Sequence, residues 1–169
     1  MKTLKALGAL LTYPSAALVE ALPDIHAVIV DEGLLDTAER RGLKTLMQWM
    51  SSQDPLDLEE AYVATFDRGR ATSLHLFEHV HGDSRDRGQA MVDLGQMYER
   101  AGLQLVTNEL PDYLPALLEF TSLLPAAEAR DTLADCGHIV RSVGEALRGF
   151  GSPYHAVFAA ILNAAKLDG

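Results

Sequence analysis

The sequence has 169 residues, 48% of them hydrophobic, which suits one globular domain and excludes the composition of a disordered chain. Its 24 acidic and 14 basic residues give a net charge of −10, which disfavours nucleic acid and anionic lipid as direct partners and favours a cationic ligand. The single cysteine, Cys136, excludes an internal disulfide and favours the cytoplasm. No stretch reaches the roughly 18 apolar residues of a membrane-spanning helix, so we expect no membrane insertion.

The first third of the chain predicts three helices. Leu4, Leu7 and Leu11 share one helical face, and the apolar run is too short and too interrupted for an export signal. A second helix is predicted to begin near Pro23-Asp24 and to contain the strand-like triplet 28–30. A third is indicated by apolar residues at i, i+3, i+4 and i+7, which are Leu43, Leu46, Met47 and Met50.

The helical periodicity continues to the end of the chain. The later stripes run through Leu58–Phe66, Met91–Ala101, Leu114–Thr121, Leu133–Phe150 and Tyr154–Ala165. Asp54-Pro55, Pro111 and Ser152-Pro153 are residue types that cap helices or occupy their first turn. No hairpin signal and no internal repeat interrupts the pattern. We therefore predict an all-α fold of seven or eight helices, with residues 1–169 forming one domain.

One region departs from these stripes. The connectors 67–70 and 82–88 are rich in glycine and charge, and they flank a short apolar and histidine-rich piece, Leu74–Val80. They are either solvated loops with surface ion pairs, which contribute little each, or a pinned loop whose arginines hold local carboxylates and shape a site. Composition leaves both interpretations open.

The same piece contains the pattern that most resembles a catalytic motif. His75-Leu-Phe-Glu-His79 spells H-x-x-E-H, in which two histidines one helical turn apart bind Zn²⁺ and the glutamate activates water, with His81 as a further ligand. Gly82 is predicted to end such a helix at once, and no motif marks a third ligand. Cys136 lies on an apolar stripe, where a small buried residue is expected. The sequence gives no positive case for catalysis, and we expect no catalytic residues, no metal and no cofactor.

A second patch spans Asn108–Leu114. Pro111 and Asp112 are predicted to form a helix entry, in which the carboxylate complements the helix dipole. In the alternative, Glu109 or Asp112 is exposed beside Tyr113 and offers a carboxylate and an aromatic wall to a cationic amphipathic helix.

At these two patches the chain resembles a known family. Residues 62–94 resemble the central signature of the NarJ-type delta-subunit chaperones of respiratory nitrate reductase, and residues 109–115 resemble the second motif of that family. Residues 10–14 and 54–57 also fit. Related chaperones often have histidine where this chain has Tyr113, and they commonly have a further C-terminal segment, which we expect this sequence, ending at Gly169, to lack.

The resemblance implies a helical domain of the TorD-like class of redox-enzyme maturation chaperones. Members bind the N-terminal leader-like segment of the apo catalytic (alpha) subunit, support insertion of the molybdenum cofactor and delay attachment to the membrane subunit. Proteins that deliver the cofactor are further expected partners. A zinc metallopeptidase and a structural helical subunit of the finished enzyme are the alternatives.

On this basis we predict a groove near Leu76 and Phe77 that receives the apolar face of the peptide, with acidic residues nearby that meet its basic residues. The predicted peptide-binding residues are Asp67, Arg68, Leu76, Phe77, Glu78, His79, Glu109, Asp112, Tyr113 and Leu117.

Overall fold

The structure is a computed structural model that describes residues 1–80, 85–106 and 108–167. The predictions for His81, for the connector 82–84 and for Gly82 as a helix end lie outside the described residues. Within them the chain forms nine α-helices, which are α1 (Lys2–Leu10), α2 (Ala16–Glu32), α3 (Thr37–Ser52), α4 (Pro55–Phe66), α5 (Arg85–Arg100), α6 (Leu114–Ser122), α7 (Ala126–Asp135), α8 (Gly137–Gly149) and α9 (His155–Ala164).

The all-α prediction is confirmed, since the regular elements of the described residues are these helices and two 3-10 turns, Arg70–Thr72 and Leu76–His79. The count exceeds the predicted seven or eight because residues 126–135 form a separate helix, α7, of which only the last three residues belong to the predicted stripe 133–150. Cys136 adopts φ −111° and ψ 9°, ends α7 and precedes α8, so the predicted stripe is divided between two helices. Among the described helices, none has both the length and the apolar character needed to cross a bilayer.

Three predicted helix starts were wrong. The last helix begins at His155 with Tyr154 as its N-cap, so Ser152-Pro153 precedes it. The second helix begins at Ala16, because the Ser15 side chain caps it by accepting a hydrogen bond from the Leu18 backbone N–H at 3.1 Å, and Pro23 lies inside the helix. The sixth begins at Leu114, with Tyr113 as its N-cap and Pro115 in its first turn, so Pro111 precedes the helix. The cap at Asp54 was correct, since its carboxylate accepts from the Leu56 N–H at 3.0 Å.

The core is organised around α1. This helix packs against α2, α6 and α9, while α9 also packs against α3 and α8. A Cβ on Gly8 would lie 3.2 Å from the carbonyl oxygen of Pro115, so the small residue lets α1 approach α6 closely. The predicted faces of α1, α3 and α9 are buried as expected, with Leu4, Leu7 and Leu11 fully enclosed.

Helix α5 contributes little to this core. The predicted stripe Met91–Ala101 lies almost entirely in α5. Tyr98 is the only buried residue of this helix, and Met97 is exposed. Gly102, with φ +83°, follows the end of this helix as predicted. In the described part of the segment between α4 and α6, the core contacts come mainly from Leu74, Leu76, Tyr98 and Leu103.

Candidate functional site

A short antiparallel bridge joins the two patches that the sequence singled out. His75 pairs with Tyr113, where the Leu76 N–H donates to the Asp112 carbonyl at 3.0 Å and the Leu114 N–H donates to the Leu74 carbonyl at 2.8 Å. Residues 75–79 therefore do not form the α-helix that the zinc pattern requires. His75 is extended, and residues 76–79 form a 3-10 turn.

Asp112 fastens the two segments together. Its side chain is completely buried, and one carboxylate oxygen accepts from His75 Nδ1 at 3.3 Å while the other accepts from the Phe77 N–H at 3.1 Å. A buried carboxylate is stable only when such donors replace its water. The hydrogen bond to Asp112 also raises the pKa of His75 above its usual value, against the opposing effect of burial.

The second histidine of the pattern is used within its own loop. His79 Nε2 lies 2.9 Å from the carbonyl oxygen of Ser73, and it must donate there because a carbonyl only accepts. The Thr72 hydroxyl donates to the Thr65 carbonyl of α4 at 2.6 Å. The loop is therefore pinned by hydrogen bonds of Thr72 and His79, which the prediction of a loop pinned by arginines did not include. The carboxylate of Glu78 lies 4.0 Å from Arg87, so part of that pinning is ionic.

These contacts frame a cavity of about 290 Å³ at the C-terminal end of α4, which we call the acidic cleft. Its lining combines aromatic rings with carboxylates and polar groups from four parts of the chain, namely Tyr13, Tyr62, Phe66, Asp67, Leu74, His75, Asn108, Glu109, Leu110 and Tyr113. Asp67 is exposed at its edge and Glu109 is half-buried. An adjoining cavity of about 360 Å³ shares Phe66, Asp67 and His75 with it and adds Glu78.

The tyrosines of the acidic cleft are held in fixed orientations. The Tyr62 hydroxyl donates to the Leu11 carbonyl at 2.6 Å and lies 3.1 Å from the Tyr113 hydroxyl, which must therefore be the donor of that second bond. The Tyr113 ring also packs on His75, with centroids 5.3 Å apart. Burial raises the pKa of Tyr62 and of Tyr113, so both hydroxyls stay neutral at physiological pH.

The ten predicted residues fall into three groups. Asp67, Glu78, Glu109 and Tyr113 line the two joined cavities. Leu76, Asp112 and Leu117 are buried, while Phe77 and His79 are half-buried in the 3-10 turn. Arg68 lines a different cavity, on another side of α4. Their roles in peptide binding stay predictions. The geometry places Asp112 beneath the surface, where it holds His75 and Phe77 in position.

Sequence reasoning did not include Tyr13, Tyr62 and Phe66 among the peptide-binding residues. Tyr13 entered only as part of residues 10–14, which fit the family, yet its ring is half exposed and stands edge-on to Tyr62 at 5.7 Å. The available signal was the spacing of Tyr62 and Phe66, one turn apart just before the glycine-rich connector. That spacing was interpreted only as a core stripe.

Comparison with known proteins agrees with the sequence resemblance. The chain is 44% identical over 157 residues to the nitrate reductase molybdenum cofactor assembly chaperone NarJ of Escherichia coli K12, which covers 93% of the chain and 66% of that relative. It is 42% identical to the probable chaperone NarW of the same strain, over 98% of the chain and 68% of the relative. The probable NarJ of Bacillus subtilis 168 is 33% identical, over 95% of the chain and 89% of the relative.

The chain thus spans about two thirds of the length of its Escherichia coli relatives. The family profile described as nitrate reductase delta subunit matches residues 32–160, which contain the whole acidic cleft except Tyr13. On these matches the chain belongs to the nitrate reductase delta subunit family.

Proposed function

We propose that this chain is a cytoplasmic assembly chaperone, not an enzyme, for a respiratory nitrate reductase. It binds the N-terminal leader-like segment of the apo catalytic subunit in the acidic cleft. While bound, it keeps that subunit competent for insertion of the molybdenum cofactor and delays its attachment to the membrane subunit. The relatives from Escherichia coli and Bacillus subtilis support this proposal, since each is named a molybdenum cofactor assembly chaperone, or a probable one, of nitrate reductase.

The observation that carries the proposal is the composition of the acidic cleft. Asp67 and Glu109 supply negative charge beside the rings of Tyr13, Tyr62 and Tyr113, and Leu74 supplies an apolar surface. A lysine or arginine of a peptide would meet carboxylates and aromatic faces together, which favours cations by both ion pairing and cation–π attraction. The apolar face of the same peptide would lie against the rings, as in other groove-binding helices.

The net charge of the chain supports the same ligand. A charge of −10 raises the local concentration of a basic peptide and speeds its encounter with the cleft. Asp112 acts in this scheme as a positioning residue. It lies beneath the surface and holds His75 and Phe77, so it orients the wall of the cleft without contacting the peptide.

A pull-down tests the proposal directly. The tagged chain is expressed in cells that make the apo-reductase without molybdenum cofactor, and the captured proteins are identified by mass spectrometry. We expect recovery of the immature catalytic subunit and no retention of the chain in the mature membrane enzyme. A chain that co-purifies with the mature enzyme would instead be a structural subunit, and failure to capture the catalytic subunit would contradict the proposal.

The cleft is tested with matched charge variants. The double variant Asp67→Asn/Glu109→Gln should capture much less catalytic subunit. The control Glu20→Gln/Asp131→Asn changes the net charge equally at exposed positions on α2 and α7 and should leave capture intact. Equal losses in both variants would attribute binding to overall charge and not to the cleft.

A further inference from the structure

A second groove lies on another side of α4. It has a volume of about 450 Å³, and its lining is mainly apolar. We call it the Phe150 groove and define it by Trp49, Ala61, Thr65, Leu147, Phe150 and Pro153. Small residues of α4 and two large rings line the same cavity, whose volume leaves room for a bulky side chain from outside.

Phe150 is held in solvent by a fixed turn. Its side chain is 76% exposed, whereas Leu147, one turn earlier on the same predicted stripe, is fully buried. The Ser152 N–H donates to the Leu147 carbonyl at 2.9 Å and the Gly151 N–H donates to the Arg148 carbonyl at 3.0 Å. With Gly151 at φ +71°, this is a Schellman ending of α8. An exposed ring on an ordered turn beside an apolar cavity is typical of an interaction surface.

The Phe150 groove is linked to the acidic cleft by an intermediate cavity that shares lining residues with both. The cavity that adjoins the acidic cleft at Phe66 and Asp67 also contains Gly69, and Gly69 lines the Phe150 groove as well. Beneath this surface the rings are in contact. Trp49 stands edge-on to Tyr154 at 5.8 Å, and Tyr154 stands edge-on to Phe66 at 5.0 Å. The two sites are therefore parts of one track around the end of α4, held on one rigid aromatic cluster.

The charges along this track differ between its ends. Asp67 and Glu109 lie at the acidic cleft, whereas Arg68 lies at the Phe150 groove. A basic residue of a ligand is attracted to the first end and repelled from the second. The Phe150 groove therefore favours an uncharged apolar side chain, which lies some distance along the peptide from the basic residues.

We propose that the Phe150 groove is a second subsite for the peptide that occupies the acidic cleft, and that it receives a bulky aliphatic or aromatic side chain of that peptide. The inference rests on the proposed function. It adds that recognition requires two features in one segment, a basic residue for the acidic cleft and a separate apolar anchor for the Phe150 groove.

Trp49 offers a direct readout because it is the sole tryptophan of the chain and lines the Phe150 groove. A synthetic tryptophan-free peptide with the sequence of the N-terminal segment of the catalytic subunit is titrated into the full chain. Occupancy of the groove should shift the Trp49 emission to shorter wavelength, and the shift should saturate together with the heat of binding. Binding heat without any change in the emission of Trp49 would overturn the inference.

Variants separate the two sites. Phe150→Ala should weaken binding by about tenfold, as expected for truncation of a buried aromatic contact. Leu123→Ala removes an apolar side chain of 56% exposure from the α6–α7 connection and should have no effect. Alanine substitution of the apolar anchor in the peptide should weaken binding to the wild type but add nothing in Phe150→Ala. Replacement of the basic residues of the peptide should weaken binding to the wild type but add nothing to the weaker binding of Glu109→Gln.

The outcomes distinguish this inference from the proposed function. Weakened binding in Glu109→Gln with unchanged affinity in Phe150→Ala would overturn the second subsite and leave the proposed function standing. A peptide that does not bind the wild type at all would contradict the proposed function itself. If Phe150→Ala changes the sedimentation of the chain alone, a second copy covers the groove, and the peptide subsite is likewise overturned.

Discussion

Two regions of the molecule are held in different ways, namely the helices α1, α6, α8 and α9 and the described residues of the segment 67–113. In the first region apolar side chains interlock along whole helix faces, and Leu7, Phe158 and Leu147 are each at most 1% exposed. In the second region fewer apolar side chains are buried, among them Leu74, Leu76 and Tyr98, and the loops are held in addition by polar contacts to Asp112, Ser73 and Thr65.

The first region supplies most of the stability of the fold, whereas the second contains most of the proposed binding surface. Burial of many apolar groups supplies most of the free energy of folding, and no single contact in it shapes the cleft. The cleft depends instead on individual hydrogen bonds, so one substitution can loosen it while the core stays folded. Binding surfaces are commonly located in such less stable parts of a protein.

Truncation in the core should have the largest effect on stability. Leu7 is fully buried where α1 meets α6 and α9, so Leu7→Ala should lower the free energy of unfolding by about 3 kcal/mol through lost burial and a cavity. Denaturant titration measures the change. Leu56→Ala, at a position of 69% exposure, should change it by less than about 0.5 kcal/mol. Equal changes in both variants would mean that α1 is not central to the core.

Removal of the Asp112 carboxylate should lower the free energy of unfolding less than Leu7→Ala does, and its effect should be local. Asp112→Ala leaves the half-buried Phe77 N–H without its acceptor, which should cost about 2 kcal/mol. Hydrogen exchange at the Phe77 amide should accelerate strongly, while amides of α9 change only as the global stability does. Asp112→Asn keeps an acceptor for that N–H and should lie between the two. Uniform acceleration of amide exchange throughout the chain would contradict a local role of Asp112.

The attachment of α5 is tested by removal of one hydroxyl. The Tyr98 hydroxyl donates to the Pro111 carbonyl at 2.6 Å, while its ring packs against Phe120 with centroids 4.9 Å apart. Tyr98→Phe keeps the ring and should cost about 1 kcal/mol in thermal or denaturant unfolding. It should also speed amide exchange in α5. An unchanged exchange rate would mean that this bond does not tie α5 to the loop before α6.

The smallest effect should be a pH dependence from His75. Its pKa is raised above 6.5 mainly by the hydrogen bond to Asp112, with Glu78 adding to the rise and Arg87 opposing it. The stabilisation is complete below pH 6.5 and is lost as the pH rises through the pKa of the folded state. In His75→Gln the free energy of unfolding should lack this decrease with rising pH.

Comparison of wild type and His75→Gln at each pH isolates this contribution from that of His155, whose pKa is lowered by burial and whose effect has the opposite sign. Because His75 is about a third exposed, solvent screening keeps the difference smaller than the effect of Asp112→Ala. Parallel stability curves for the two proteins would show that protonation of His75 does not stabilise the fold.

Helix faces were readable from the sequence because they depend on local spacing. The stripe 154–165 was correct, since the apolar period depends only on residues within a few positions of each other, whereas the helix begins at His155 and not at the predicted Ser152-Pro153. Periodicity could not locate the break at Cys136, because both sides of it keep the same apolar spacing.

The cleft was less accessible to sequence reasoning. The bonds that Asp112 accepts come from His75 and Phe77, which are 37 and 35 residues away along the chain. Nothing in local spacing indicates such a pair, so Asp112 was interpreted as a helix-entry residue and a peptide contact. The motif resemblance indicated the right two patches, and only the structure shows that one supports the other.

Calorimetric titration of the N-terminal peptide of the catalytic subunit tests the central claim most directly. The wild-type chain should bind one peptide. The affinity should fall with rising salt, and Asp67→Asn/Glu109→Gln should weaken binding by about tenfold, with a smaller salt dependence. The charge-matched Glu20→Gln/Asp131→Asn should bind like the wild type. Identical affinity in all three proteins would contradict recognition of the peptide by the acidic cleft.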